Sequence, residues 1–142
     1  MFIHARIFEL FRKAAITLKY PSIRYTSADG YKCQFYLATK GYIAIKVNGE
    51  YKGKIPSPMD AMVFYHHDSK LKEELEAFAL EPITRAKVNG QKYGHCCFCK
   101  QELTNAISVY NGYGPICADN YGLPWEAPEA EAPAVESIIN VL

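Results

Sequence analysis

No stretch of eighteen apolar residues occurs anywhere in this 142-residue chain, so no segment is read as a membrane span. The N-terminal stretch also lacks the apolar centre of a secretory signal, because Arg6, Glu9, Arg12 and Lys13 interrupt it. There is no G-x-x-x-x-G-K loop to cradle phosphate, no H-E-x-x-H and no nucleophile elbow, and these absences speak against the common hydrolase chemistries. Cysteine is scarce and odd in number: five residues, four of them between Cys96 and Cys117. That count and clustering suit a reducing compartment better than a disulfide framework, and the chain is expected to be cytoplasmic. An excess of one charge is missing too, since the formal net charge is only +1.

That small net value hides an uneven distribution. All sixteen basic residues precede Glu126, together with eleven of the fifteen acidic ones, which leaves that stretch at +5. A mildly basic body can meet an anionic partner, but +5 does not require nucleic acid. The remaining four acidic residues, Glu126, Glu129, Glu131 and Glu136, lie in a Pro/Ala-rich segment too poor in apolar residues to fold alone. We expect 126–142 to be a disordered acidic tail whose apolar end, Ile138 to Leu142, could dock on the body or a partner.

Along the rest of the chain the hydrophobic pattern predicts an α+β fold. Ile3, Ile7, Leu10, Phe11 and Ala14 recur at helical spacing, giving a helix from about Ile3 to about Ile16 that Pro21 closes. Alternating apolar positions then predict strands at Ile23–Thr26, Tyr31–Leu37, Ile43–Val47 and Tyr51–Ile55. Asp29-Gly30 and Asn48-Gly49 are turn signals, the latter the strongest in the sequence because both residues accept positive φ. The expected result is a four-stranded antiparallel meander, with Met62–Tyr65 a candidate fifth strand. Cys33 shares a face with Phe35 and Leu37 and is read as a small buried residue.

Asp68 or Ser69 can cap a helix whose buried stripe is Leu71, Leu75 and Phe78, ended by Pro82. The adjacent His66 and His67 would point to opposite sides of an extended chain, so they are poor candidates for one shared ion. Ile83–Tyr93 reads as a polar connector containing the turn pair Asn89-Gly90. The expected division is an α+β domain over 1–82, a zinc-finger-like segment over 83–125 packed on it, and the tail.

The chemistry is concentrated in that second segment. Cys96 and Cys99 form a C-x-x-C pair, a spacing at which two thiolates reach one ion from a tight turn. Leu103–Tyr110 is expected to fold back as a short hairpin or loop, and Gly112 and Gly114 allow a sharp return. Pro115 suits the first position of a helix, which places Cys117 in the first turn, where free N–H groups favour a thiolate. This is the plan of a treble-clef or zinc-ribbon finger holding a structural Zn²⁺. Candidates for a fourth ligand are Cys97, His95, Asp119 and the distant Cys33; Cys97 is preferred and His95 comes next, although both adjoin Cys96. A redox role for C-x-x-C would normally need a strand-to-helix junction in a βαβ setting, which the sequence lacks.

Cys96-Cys97-Phe98-Cys99, Leu103-Thr104, Ser108, Gly112-Tyr113-Gly114-Pro115-Ile116-Cys117-Ala118 and Leu123-Pro124-Trp125 together resemble a segment shared by small phage and prophage proteins. It has the form C-C-F-C…L-T…S…G-Y-G-P-x-C and is regarded as a domain of unknown function. The resemblance covers Gly94 to Trp125 and implies a metal-binding finger acting in the cytoplasm of a bacterial host cell, with no settled activity. Asn105-Ala106-Ile107 departs from the more acidic turn expected there.

Two non-enzymatic functions fit these readings. In the first, the protein is an accessory module on nucleic acid or its enzymes: Lys32, Lys46, Lys52, Lys54 and Lys92 would meet phosphates while Tyr51 and Tyr113 contact bases or a partner. Ordinary strand composition explains any single Tyr–Lys pair equally well. In the second, it is a protein-binding inhibitor of a host defence or processing enzyme, using an aromatic-rich surface. No small-molecule substrate is implied.

Overall fold

The alternation of β-branched and aromatic side chains with polar ones builds the sheet that the rest of the chain packs on. The structure is a computed structural model that describes residues 3–126, so the expected tail lies outside the described residues except for Glu126. Five strands, β1 (Ser22–Thr26), β2 (Lys32–Leu37), β3 (Ile43–Val47), β4 (Glu50–Ile55) and β5 (Val63–Phe64), form one antiparallel sheet in the order β1-β2-β3-β4-β5. The meander is as expected, and β5 is shorter than its sequence pattern suggested. Asn48 and Gly49 adopt φ of 52° and 85°, the doubly positive turn that joins β3 to β4. A register shift at Ile45/Lys46 leaves Lys52 as the extra residue of β4.

One face of this sheet is covered and the other is open. Ile23, Tyr25, Cys33, Phe35, Ile45 and Ile55 point into a continuous core that also takes in Ile7 and Phe11 of α1 (Ala5–Ala14) and Leu75 and Phe78 of α2 (Ser69–Leu80). Phe78 stacks on Tyr25 with centroids 4.2 Å apart and on Phe35 at 5.6 Å. Asp68 caps α2 by accepting from the Leu71 N–H at 3.1 Å, and that bond is the main reason its carboxyl is held below the ordinary carboxylate range. The opposite face is built from the alternate positions Arg24, Gln34, Tyr36, Lys46, Tyr51 and Lys54.

The segment expected to be a connector is instead a helix, α3 (Pro82–Tyr93). Pro82 stops α2, as anticipated, but it also occupies the first turn of α3. The buried stripe of α3 is Pro82, Ala86 and Gly90, side chains too small to register as a hydrophobic period. Nor does Asn89-Gly90 make a turn. Gly90 is glycine because another backbone lies on it: a Cβ there would stand 1.9 Å from the carbonyl oxygen of Gly112. Leu103–Tyr110 is likewise not a hairpin, since Asn105 accepts from the Ser108 N–H at 2.9 Å and starts α4 (Ala106–Asn111). Gly112 ends α4 with φ of 82°, and α5 (Pro115–Tyr121) follows with Pro115 in its first turn.

The core runs without a break from Ile7 to Leu123, so the body and the finger segment share it. Gly90→Ala should therefore push α3 off the α4 cap and destabilise the fold by ~1–3 kcal/mol, the usual range for overpacking. Thermal or urea unfolding measures this, and an unchanged midpoint would mean that the two backbones are not pressed together.

Candidate metal centre

Gly94 leaves α3 in the left-handed region, φ 75°, and turns the chain straight into a tight loop. His95 and Glu102 form a single antiparallel bridge, and Leu103 N–H donates to the Gly94 carbonyl at 2.8 Å. Inside this closure Cys96 N–H donates to the Gln101 carbonyl at 2.9 Å, and Lys100 N–H to the Cys96 carbonyl at 2.7 Å. The loop is thus a knuckle with Cys96 and Cys99 at its ends. Lys100 takes φ of 67°, a conformation that costs an L-residue about 1–2 kcal/mol.

From the other side, Gly114 and Pro115 set the start of α5 and bring in Cys117, as the sequence suggested. The sulfur atoms of Cys96, Cys99 and Cys117 all lie within 4.8 Å of one another. Thiolates about 2.3 Å from a tetrahedral ion sit a little under ~4 Å apart, so small side-chain adjustments would close the three onto one cation. The electrostatics point the same way. Cys96 is pulled down to about 5, first by the Cys117 thiol that donates to it and then by the N–H groups of Gly114, Phe98 and Cys99. Cys117 is driven up by giving that hydrogen bond and by burial, and burial raises Cys99 as well. These bonds favour a thiolate at Cys96, and a thiolate there opposes a second one beside it. A bound cation removes that resistance.

The other ligand candidates lie elsewhere. Cys97 points away from the group: its sulfur is 3.7 Å from the Ala86 carbonyl and 3.5 Å from Asn89 Oδ1, and burial pushes its thiol up to about 12. This corrects the preference for Cys97 as fourth ligand. At the start of the tight turn Cys97 faces α3, while Cys96 faces the other two cysteines. His95 is exposed, with Nδ1 3.0 Å from the Tyr93 carbonyl, and it is not in the group either. Asp119 is exposed on α5, and Cys33 sits in the sheet core with its thiol raised to about 12 by burial. Among the described residues no fourth His, Cys, Asp or Glu atom joins the three. His66 accepts from the Asp68 N–H at 3.2 Å, away from the sulfurs.

Aromatic side chains fasten the knuckle to the body. Phe98 is buried, 4.5 Å from the Tyr121 ring and 6.0 Å from Tyr113. Tyr113, read from sequence as a partner-facing residue, is 2% exposed and donates to the Pro124 carbonyl at 2.6 Å. The glycines flanking it imitate a loop, but its ring fills the finger core. The free edge of β1 is also occupied: Arg24 N–H donates to the Cys97 carbonyl at 2.7 Å, and Ser22 N–H donates to Tyr121 Oη at 3.0 Å. Tyr121 in turn donates to the Ser22 carbonyl, and Asn89 Nδ2 to the Thr26 carbonyl. Spacing rules for metal ligands gave no hint of these ties.

The remaining surface candidates are spread over the molecule. Lys46 lies over the Tyr36 ring and Lys54 over Tyr42, both on the open sheet face. Tyr51 is exposed there and sits 6.3 Å from Tyr65. Lys52 pairs with Glu50 at 3.4 Å, Lys92 lies over Tyr93, and Lys32 is exposed on β2. Lys100→Gly should stabilise the knuckle by up to ~1 kcal/mol, because glycine adopts its left-handed backbone without strain. A higher unfolding midpoint checks this, and a lower one would place Lys100 in a different conformation.

A model of a family of unknown function (DUF6011) matches residues 86–122, which span the second half of α3, the knuckle, α4 and α5. The match ends at Gly122, one residue past α5, and takes in all three cysteines of the group. No curated protein and no solved structure matches the chain.

Proposed function

We propose that this chain is a small, non-enzymatic zinc-binding module of phage type that associates with nucleic acid, or with an enzyme complex on it, in the bacterial cytoplasm. Support for zinc comes from the donor set: three thiols, two from a knuckle and one from a helix start, converge at a spacing such an ion tolerates. Softer sulfur donors favour zinc over magnesium or calcium. The residues fit the ion, which would be held by Cys96, Cys99 and Cys117 with a fourth position filled from solvent or a partner. Its contribution is structural. It would balance the thiolate charge and lock the knuckle against α5.

The observation that carries nucleic-acid association is the composition of the open sheet face. Cross-strand register sets Arg24, Gln34, Lys46 and Tyr51 in one row and Tyr36, Ala44 and Lys54 in the next. No carboxylate occupies these positions. Cations held over tyrosine rings on an open sheet face suit a single strand, whose bases stack on aromatics while its phosphates meet the charges. Helices cover the other face only.

A second reading, an inhibitor that binds a host protein, is favoured by a separate observation. Ile116 on α5 is 75% exposed, and Ile107 and Val109 on α4 and Trp125 just past α5 add exposed apolar surface.

Elemental analysis should find one zinc per chain, lost in Cys99→Ser and Cys117→Ser together with the fold of the finger segment. Retained metal is expected in Cys97→Ala and His66→Ala; loss in Cys97→Ala would return that residue to the ligand set. Fluorescence anisotropy with labelled single strands should show binding that weakens steeply as salt rises, and Lys46→Ala with Lys54→Ala should reduce it. An absence of binding at micromolar protein would favour the protein-partner reading.

A further inference from the structure

A cleft of about 520 Å³ opens where the sheet face meets the knuckle. Arg24 and Lys32 line it from neighbouring strands, Asn89 from α3, and His95 and Lys100 from the knuckle. No aspartate or glutamate is among its lining residues. Seven of the other thirteen cations have an ion pair or a ring contact: Arg6 pairs with Glu81, Lys52 with Glu50, and Lys19, Lys46, Lys54, Lys87 and Lys92 lie over tyrosine rings. The side chains of Arg24, Lys32 and Lys100 have no ion pair and no ring contact among the described residues. Three unpaired cations around one concavity focus a positive potential into it.

The volume lies within the ~300–1,000 Å³ typical of ligand pockets. It is also continuous with the open face, because Arg24 opposes Gln34 and Gln34 opposes Lys46. Lys100 directly follows Cys99, so the loop that closes on the sulfur group also fixes one wall.

Resting on the nucleic-acid reading above, we propose that this cleft anchors a single strand: a backbone phosphate sits among Arg24, Lys32 and Lys100, and the strand runs on across the sheet past Tyr36 and Tyr51. Arg24 can offer a two-pronged donor to phosphate oxygens, and the two lysines act as point charges. The knuckle thereby becomes part of the binding surface as well as a structural clasp.

The test uses the full zinc-loaded chain with fluorescein-labelled oligo-dT and oligo-U of about twelve nucleotides, between about 50 and 200 mM salt. Lys32→Ala and Lys100→Gly should each weaken binding roughly five- to tenfold at the lower salt and lower the salt slope by about one. Lys70→Ala on α2 should bind as the parent does. Because glycine suits the backbone at position 100, a loss in that variant reports the charge and not misfolding. If both cleft variants bind like the parent while Lys46→Ala and Lys54→Ala bind weakly, the cleft is no anchor and the wider reading stands. Equal weakening in Lys70→Ala would mean diffuse charge and would overturn the cleft assignment. A parent chain that binds neither strand removes both.

Discussion

Three sulfur atoms brought this close cannot all ionise unaided, and that constraint governs the C-terminal third of the molecule. The chain spends three different backbone devices on the arrangement: a left-handed exit from α3 at Gly94, a left-handed Lys100 inside the knuckle, and a proline-started helix carrying Cys117. Each restricts the chain while contributing little by itself. A cation held by the three sulfurs would relieve their mutual repulsion, and the energy of binding it would then be energy of folding.

The rest of the fold divides its labour by face. Helices α1, α2 and α3 share the core on the apolar side of the sheet, where Phe78 of α2 stacks on Tyr25 and Phe35. The other side keeps its tyrosines and cations in solvent. Such a division suits a protein whose stability is settled on one surface and whose encounters happen on another. The knuckle stands at the boundary between them, attached to the edge of β1.

Much of this was legible from local pattern. The meander could be read because period-2 alternation and the Asn48-Gly49 turn are short-range signals, and the cysteine group because ligand spacing and Pro115 are too. What stayed hidden depended on neighbours distant in sequence. The helix α3 buries alanine and glycine, and Gly90 is explained only by the backbone of Gly112 lying against it. The helix α4 has six residues and rests on its Asn105 cap. Cys97 looked like a ligand because it is a cysteine beside cysteines, yet its direction is decided by Ala86 and Asn89 across the interface with α3. Tyr113, between two glycines, looked exposed for a similar reason. The basic cleft joins residues more than seventy positions apart, and no window along the chain contains it.

The ties along the outer margin of β1 have a consequence for the protein's life in a crowded cell. A strand at the end of a sheet offers unsatisfied amides to any passing strand, and here Tyr121, Cys97 and Asn89 answer them. Two of those answers, from Cys97 and Tyr121, come from the knuckle and the helix that carry the three clustered cysteines. With zinc bound there as proposed, oxidation of the thiols or loss of the ion would loosen them and bare part of the margin, so damage to a few thiols would surface as self-association of whole molecules.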